Sequence, residues 1–169
     1  MTSLLALNVG SALLWGLFAT GLLTLLMSGS QGLGWSRISF PYMIGSMFTS
    51  HRGRAMGIGF LVHLAVGMSF ALLYALVFES WQWATWWLGG LLGVFHGLFL
   101  LAVLMPALPD LHPRMASTHH GPTPTRQLEP PGFLALNYGR STPVLTIVGH
   151  IVYGMLLGLF YPLGGGGPL

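Results

Sequence analysis

The sequence predicts an all-α fold, a bundle of four membrane-spanning helices, and three observations predict it. Apolar residues make up 53% of the chain and charged residues only 5%, where a soluble surface needs roughly a quarter charged. Four stretches, about Leu4 to Ser28, Ala55 to Phe78, Trp87 to Met105 and Val144 to Leu163, contain no Asp, Glu, Lys or Arg. Each is close to the roughly 20 residues that cross a hydrocarbon layer about 30 Å thick at about 1.5 Å per helical residue. At that length in lipid, a helix is the element that satisfies its own backbone. The expected organisation is one integral membrane domain over residues 1–169, with helices at about 4–28, 55–78, 87–105 and 144–163.

The first helix has an apolar run roughly twice the 7 to 15 residues of a cleaved signal peptide, and nothing positive precedes it, so it reads as a retained span. The loop at 29–54 follows. In it Ile38, Phe40, Met43, Ile44, Met47 and Phe48, around Pro41, have spacing suited to a short amphipathic segment on the membrane surface, and equally to an ordinary loop with buried anchors. Between the second and third helices Trp81, Trp83, Trp86 and Trp87 crowd a short turn, as indoles do at headgroup level. The loop at 106–143 carries Pro106, Pro109, Pro113, Pro122, Pro124, Pro130 and Pro131. These prolines oppose a regular helix and predict an extended, exposed segment. Gly164 to Gly167 reads as a flexible run with no helix or strand to frame a phosphate site.

Charge sets the orientation. The six basic residues are all arginines: Arg37, Arg52 and Arg54 between the first two helices, and Arg114, Arg126 and Arg140 between the last two. The positive-inside rule therefore predicts an inner-membrane protein of a bacterial cell, with both long loops cytoplasmic and both termini outside. So few charges exclude a free-standing cytosolic enzyme, a nucleic-acid binder and a disordered chain. With no cysteine, disulfides, thiolate metal sites and iron–sulfur clusters are excluded as well. No carboxylate pair, nucleophile elbow or phosphate loop offers a catalytic centre, and the spans bury no acidic residue or arginine of the kind that ion-coupled transport uses. The chain is therefore expected to be no enzyme unless a bound cofactor makes it one.

An internal echo is the most informative pattern. The second helix reads His63, Gly67-Met68, Tyr74, and the fourth reads His150, Gly154-Met155, Tyr161, with identical spacings; a weaker echo sets Phe18 to Leu22 against Phe95 to Leu98. Two helical hairpins descended from one are the expectation, as parallel repeats in the membrane. At 3.6 residues per turn Gly59, His63, Gly67, Ala71 and Tyr74 share one face, as do His150, Gly154, Gly158 and Tyr161, while Gly89, Gly93 and Gly97 line the third helix beside His96. Small residues mark the close-packing faces of membrane helices, which turns the histidines inward. Counted from the cytoplasmic ends, His63 lies about 12 Å deep, His150 about 9 Å and His96 about 14 Å, with Tyr74 and Tyr161 in a separate outer layer about 16 Å further on.

Three imidazoles at one level have several possible uses. His63 and His150 suit the axial ligation of a b-type haem; His63, His96 and His150 suit a copper or zinc ion, with Met68 and Met155 too far along to join; and all three suit hydrogen bonding across helix interfaces. Asp110, His112, His119 and His120 have ligand-type side chains without the spacing of a metal motif, and are expected to be solvated. In "GFLVHLAVGMSFALLYALVF" and "VGHIVYGMLLGLFYPLG" the chain resembles the small four-helix bacterial membrane proteins grouped as domains of unknown function. That resemblance covers about a quarter of the chain and implies a multi-pass inner-membrane protein, with no activity or cofactor.

Two functions are compatible with these residues. One is a non-catalytic accessory or assembly subunit, packed by its glycine faces against a larger membrane partner or a second copy in the lipid bilayer. The other is a haem- or metal-binding electron carrier built on His63 and His150.

Overall fold

A computed structural model describes residues 7–164. Its helices are α1 (Val9–Gly32), the short α2 (Phe40–Gly45), α3 (Arg52–Trp81), α4 (Trp86–Leu111) and α5 (Thr142–Phe160). Among the described residues there is no β-strand, and α1, α3, α4 and α5 are each long and apolar enough to cross a membrane. The expected start at Leu4 and the glycines at 165–167 lie outside the described residues.

Local chemistry explains where the helices begin and end. Asn8 accepts the Ser11 N–H and His51 accepts the Arg54 N–H, so α1 begins after the expected Leu4 and α3 begins before Ala55. Pro143 opens α5, and Pro162 holds Tyr161 extended at ψ 117°, which ends it. Gln82 turns the chain after α3 through the left-handed region, with φ 52°, and Thr85 caps α4 by accepting the Leu88 N–H.

The third span differs most from expectation. The proline-rich segment was expected to break the helix at Met105, yet α4 runs through Pro106 and Pro109 to Leu111. A proline lacks the N–H for the i−4 carbonyl and its ring crowds that carbonyl. The helix accommodates this by widening to a π turn over Leu100–Leu104, where the Met105 N–H bonds back to the Leu100 carbonyl.

The spans pack in an uneven ring. α1 lies against α3 and α5, and α4 packs most tightly on α5, whereas α3 and α4, joined by a short turn, hardly approach each other by backbone. Glycine sets the tight contacts. A Cβ on Gly89 would land on the Gly154 carbonyl, one on Gly93 on the His150 carbonyl, and one on Gly158 on the Thr85 carbonyl; Gly97 faces Ile147. Gly67 seats Thr20 of α1. Gly59 was expected to face another span, but it takes the backbone of α2 at Pro41 and Gly45. The outward faces carry large apolar side chains such as Leu25, Leu61 and Phe18, which are 70%, 66% and 60% exposed, as lipid contact requires.

At the arginine-bearing end Ile38, Phe40 and Met43 are buried, so of the two readings of this segment the structure has the one with buried anchors, formed into the short helix α2 that plugs the end of the bundle. The loop after α4, expected to be extended, is folded back. Its anchor is His112, fully buried, whose Nε2 donates to the Met43 carbonyl at 2.9 Å while Nδ1 accepts the Arg114 N–H at 3.1 Å. Burial pushes this imidazole down from its usual pKa, which keeps it neutral and able to do both. Arg114 then donates to the Ser46 and Met47 carbonyls at the end of α2, and Arg37 pairs with Glu129 at 3.0 Å. The two loops therefore meet at one end of the bundle. His119 and His120 are exposed, as is Asp110. The four tryptophans, 41% to 62% exposed, ring the opposite end.

The glycine contacts make a sharp prediction. Gly93→Ala should lower stability by about 1–3 kcal/mol, the range for forcing a group into a packed interior, and lower the thermal midpoint in detergent. Gly57→Ala, which meets only open space, should lose nothing. Equal midpoints for the two variants would contradict the packing.

Candidate functional site

Because α3 and α4 stand apart, the arginine-bearing half of the bundle holds a cavity of about 210 Å³. α1 contributes Thr20, α3 His63 and Phe70, α4 His96, and α5 His150 and Tyr153; Phe40 and Met43 of α2 form its floor and the π turn of α4 its side. His63, His96 and His150, placed at one level by counting residues, all line this space. His96 meets His150 edge to face with ring centroids 4.6 Å apart and stacks on Phe70 at 4.0 Å, and His63 stacks on Phe40 at 5.9 Å.

The hydrogen bonds constrain which nitrogen carries the proton. His150 Nδ1 lies 2.7 Å from the Thr146 carbonyl. A carbonyl only accepts, so Nδ1 is protonated and Nε2 keeps its lone pair. His63 Nδ1 lies 3.0 Å from Thr24 Oγ1, which also lies 2.8 Å from the Thr20 carbonyl. With the hydroxyl proton on that carbonyl, Thr24 accepts from His63 Nδ1–H and His63 keeps a lone pair on Nε2; with it turned to His63, Nδ1 accepts and Nε2 carries the proton. His96 Nδ1 pairs with the Tyr74 hydroxyl at 3.3 Å, and either group can donate. None of the three Nε2 atoms has a protein partner among the described residues, although His150 is only 5% exposed.

The other polar groups around the cavity are already committed. Tyr153 donates to the Gly67 carbonyl at 2.6 Å, tying α5 to α3, and Thr20 donates to the Gly16 carbonyl at 2.6 Å. The walls thus present acceptor nitrogens in an apolar surround, with no carboxylate among the lining residues.

Some expected groupings differ in the structure. Among the described residues no set of three His, Asp or Glu side chains is arranged as a metal site; the His96 ring is turned toward His150 and Phe70. Tyr74 and Tyr161 do not share one layer. Tyr74 lies against His96 and Tyr153 and lines the neighbouring groove between α3 and α4, whereas Tyr161 sits beyond Phe78 and donates to Glu79 at 3.0 Å. The His63–Gly67 and His150–Gly154 pairs also face different neighbours, with Gly67 on α1 and Gly154 on α4.

Sequence reasoning missed four residues. Tyr153 was not singled out, although it lies three residues after His150 and so on the same helix face. Thr24 and Thr146 gave no signal, because nothing in a sequence shows which imidazole a threonine will meet. Glu79 is buried at the tryptophan-bearing end, where it holds Tyr161, the Gly164 N–H and the Gln82 side chain; the Asn8 N–H in turn donates to Tyr161, so one carboxylate links the segment before α1 to the segment after α5. Searches of protein families, curated proteins and solved structures return no match to this chain.

Proposed function

We propose that this chain is a non-catalytic membrane protein that binds a small lipid-soluble molecule in the histidine cavity of its arginine-bearing half. One observation carries the reading: His150, a buried imidazole held by its Nδ1–H, lines an apolar cavity and its Nε2 has no partner among the described residues. Fixing one ring nitrogen to orient the other is how proteins prepare histidine for a ligand. An unused polar atom in lipid is costly unless something meets it.

The haem form of this reading has two candidate nitrogens, on His63 and His150. Size weighs against it. The cavity's 210 Å³ is below the roughly 300–1,000 Å³ of sites for drug-sized ligands, and a macrocycle would need α3 and α4 to part further. The accessory-subunit reading drew on glycine faces free for a partner. Those of Gly59, Gly67, Gly89, Gly93, Gly97, Gly154 and Gly158 are occupied within the chain, which removes that support.

The arginine loops share one end, and we place that end in the cytoplasm of a bacterial inner membrane, with both termini outside. The echo of His63–Tyr74 in His150–Tyr161 supports two hairpins from one ancestor, since diverged. The chain has no cysteine, so single cysteines report sides cleanly. Ser80→Cys should react with an impermeant maleimide on intact spheroplasts, and Thr123→Cys only after lysis; the reverse pattern would invert the assignment.

Ligand binding is checked by extracting protein purified in mild detergent with organic solvent and analysing the extract by mass spectrometry. One apolar compound should be near-stoichiometric in the native protein and depleted in Val66→Trp, which fills the cavity mouth. A reduced-minus-oxidised spectrum should be flat. Haem bands would restore the macrocycle, and an empty extract with a stoichiometric protein partner would favour the accessory subunit.

A further inference from the structure

We infer that the cavity takes the head of a lipid-soluble hydroquinone or phenol, a one-ring molecule whose O–H groups donate to the Nε2 atoms of His63 and His150 while its tail leaves between α3 and α4. The inference rests on the ligand-binding reading above and names the chemical class.

Polarity is the first argument. His150 Nε2 is a fixed acceptor, and His63 Nε2 is a second one in the tautomer whose Nδ1–H bonds Thr24, while the nearby hydroxyls of Thr20 and Tyr153 are already spent on carbonyls. His96 can change tautomer through Tyr74. A head group bearing only carbonyl oxygens would set acceptor against acceptor, whereas an O–H satisfies a lone pair that hydrocarbon leaves bare. A carboxylate head is disfavoured for the same reason, and no arginine lines the space to pair with it.

Size and shape give the second argument. An apolar void of about 150 Å³ holds benzene, so 210 Å³ accommodates one substituted ring and no more. The lining includes the rings of Phe40, Phe70 and Tyr153, beside which an aromatic head packs favourably.

The third argument is access. Val66, Leu104 and Leu111 line the cavity and are also 44%, 37% and 66% exposed, so the mouth lies on the flank of the bundle, within the spans. A second groove of about 240 Å³ between α3 and α4 shares Phe70 and His96 with the cavity. It is lined by Leu73, Val77, Leu92 and Phe99, a surface for an alkyl or isoprenoid tail. A molecule dissolved in the bilayer enters sideways without crossing water.

Equilibrium binding to the full chain in lipid nanodiscs tests this under anaerobic conditions. The probes are a decyl-substituted benzohydroquinone, its dimethyl ether and the corresponding quinone. The hydroquinone should bind, with the ether and the quinone at least tenfold weaker, since about 1.4 kcal/mol per lost hydrogen bond is tenfold in affinity. His63→Leu should weaken the hydroquinone about tenfold and leave the ether unchanged. Equal binding of hydroquinone and ether to the unaltered protein would overturn the donor assignment while leaving a ligand-binding cavity in place. Binding of none of the three would overturn the hydroquinone class, and with an empty solvent extract it would overturn the ligand-binding reading too.

Discussion

Lipid supplies no hydrogen bonds, and that constraint shapes the interior of this molecule more than any attraction between its apolar side chains. Every hydroxyl or imidazole carried into the spans must find a protein partner or remain unsatisfied at a cost. Thr20, Ser69 and Ser80 return their protons to the carbonyl four residues earlier in their own helices. Tyr153 reaches across to α3 and His150 back to Thr146. After these pairings the imidazole Nε2 atoms of the cavity histidines remain without a partner among the described residues; buried hydroxyls without one there, at Ser11 and Thr146, do not line the cavity.

The geometry of that cavity follows from where the glycines fall. Between α4 and α5 they are spaced so that each backbone sits on the other, with the chain at Gly89 meeting Gly154 and that at Gly93 meeting His150. This close approach draws α4 toward α5 and away from its hairpin partner α3. The gap that results is bridged by rings, Phe70 on His96 and Tyr74 against Tyr153, and is closed from below by α2. The prolines of α4 contribute by widening the helix at Leu100–Leu104, where its side chains line the void. Packing, backbone chemistry and polar satisfaction thus converge on one place.

Much of this was legible in the sequence. The four spans, the arginines gathered at one end and the convergence of His63, His96 and His150 on one level follow from hydropathy, charge position and a rise of about 1.5 Å per residue. Helix ends were less legible because caps such as Asn8 and His51 act through side-chain geometry. Proline misled at Pro106 and Pro109, where a π turn absorbs what an α-helix cannot. The loop around His112 misled because its anchoring is tertiary: a histidine in a polar, proline-rich stretch carries no mark of the carbonyl at Met43 that it will bond. The Tyr74 and Tyr161 echo failed to predict a shared layer because identical spacing on two helices does not impose identical neighbours.

A ligand site of this kind needs neutral imidazoles protonated at Nδ1, with bare Nε2 atoms at the cavity. Nitrogen-15 magnetic resonance on histidine-labelled protein in bilayers, assigned with single-histidine variants, reads this directly. It should find a bonded proton on Nδ1 and a lone-pair shift on Nε2 for both His63 and His150. A proton on Nε2 at either residue would contradict it.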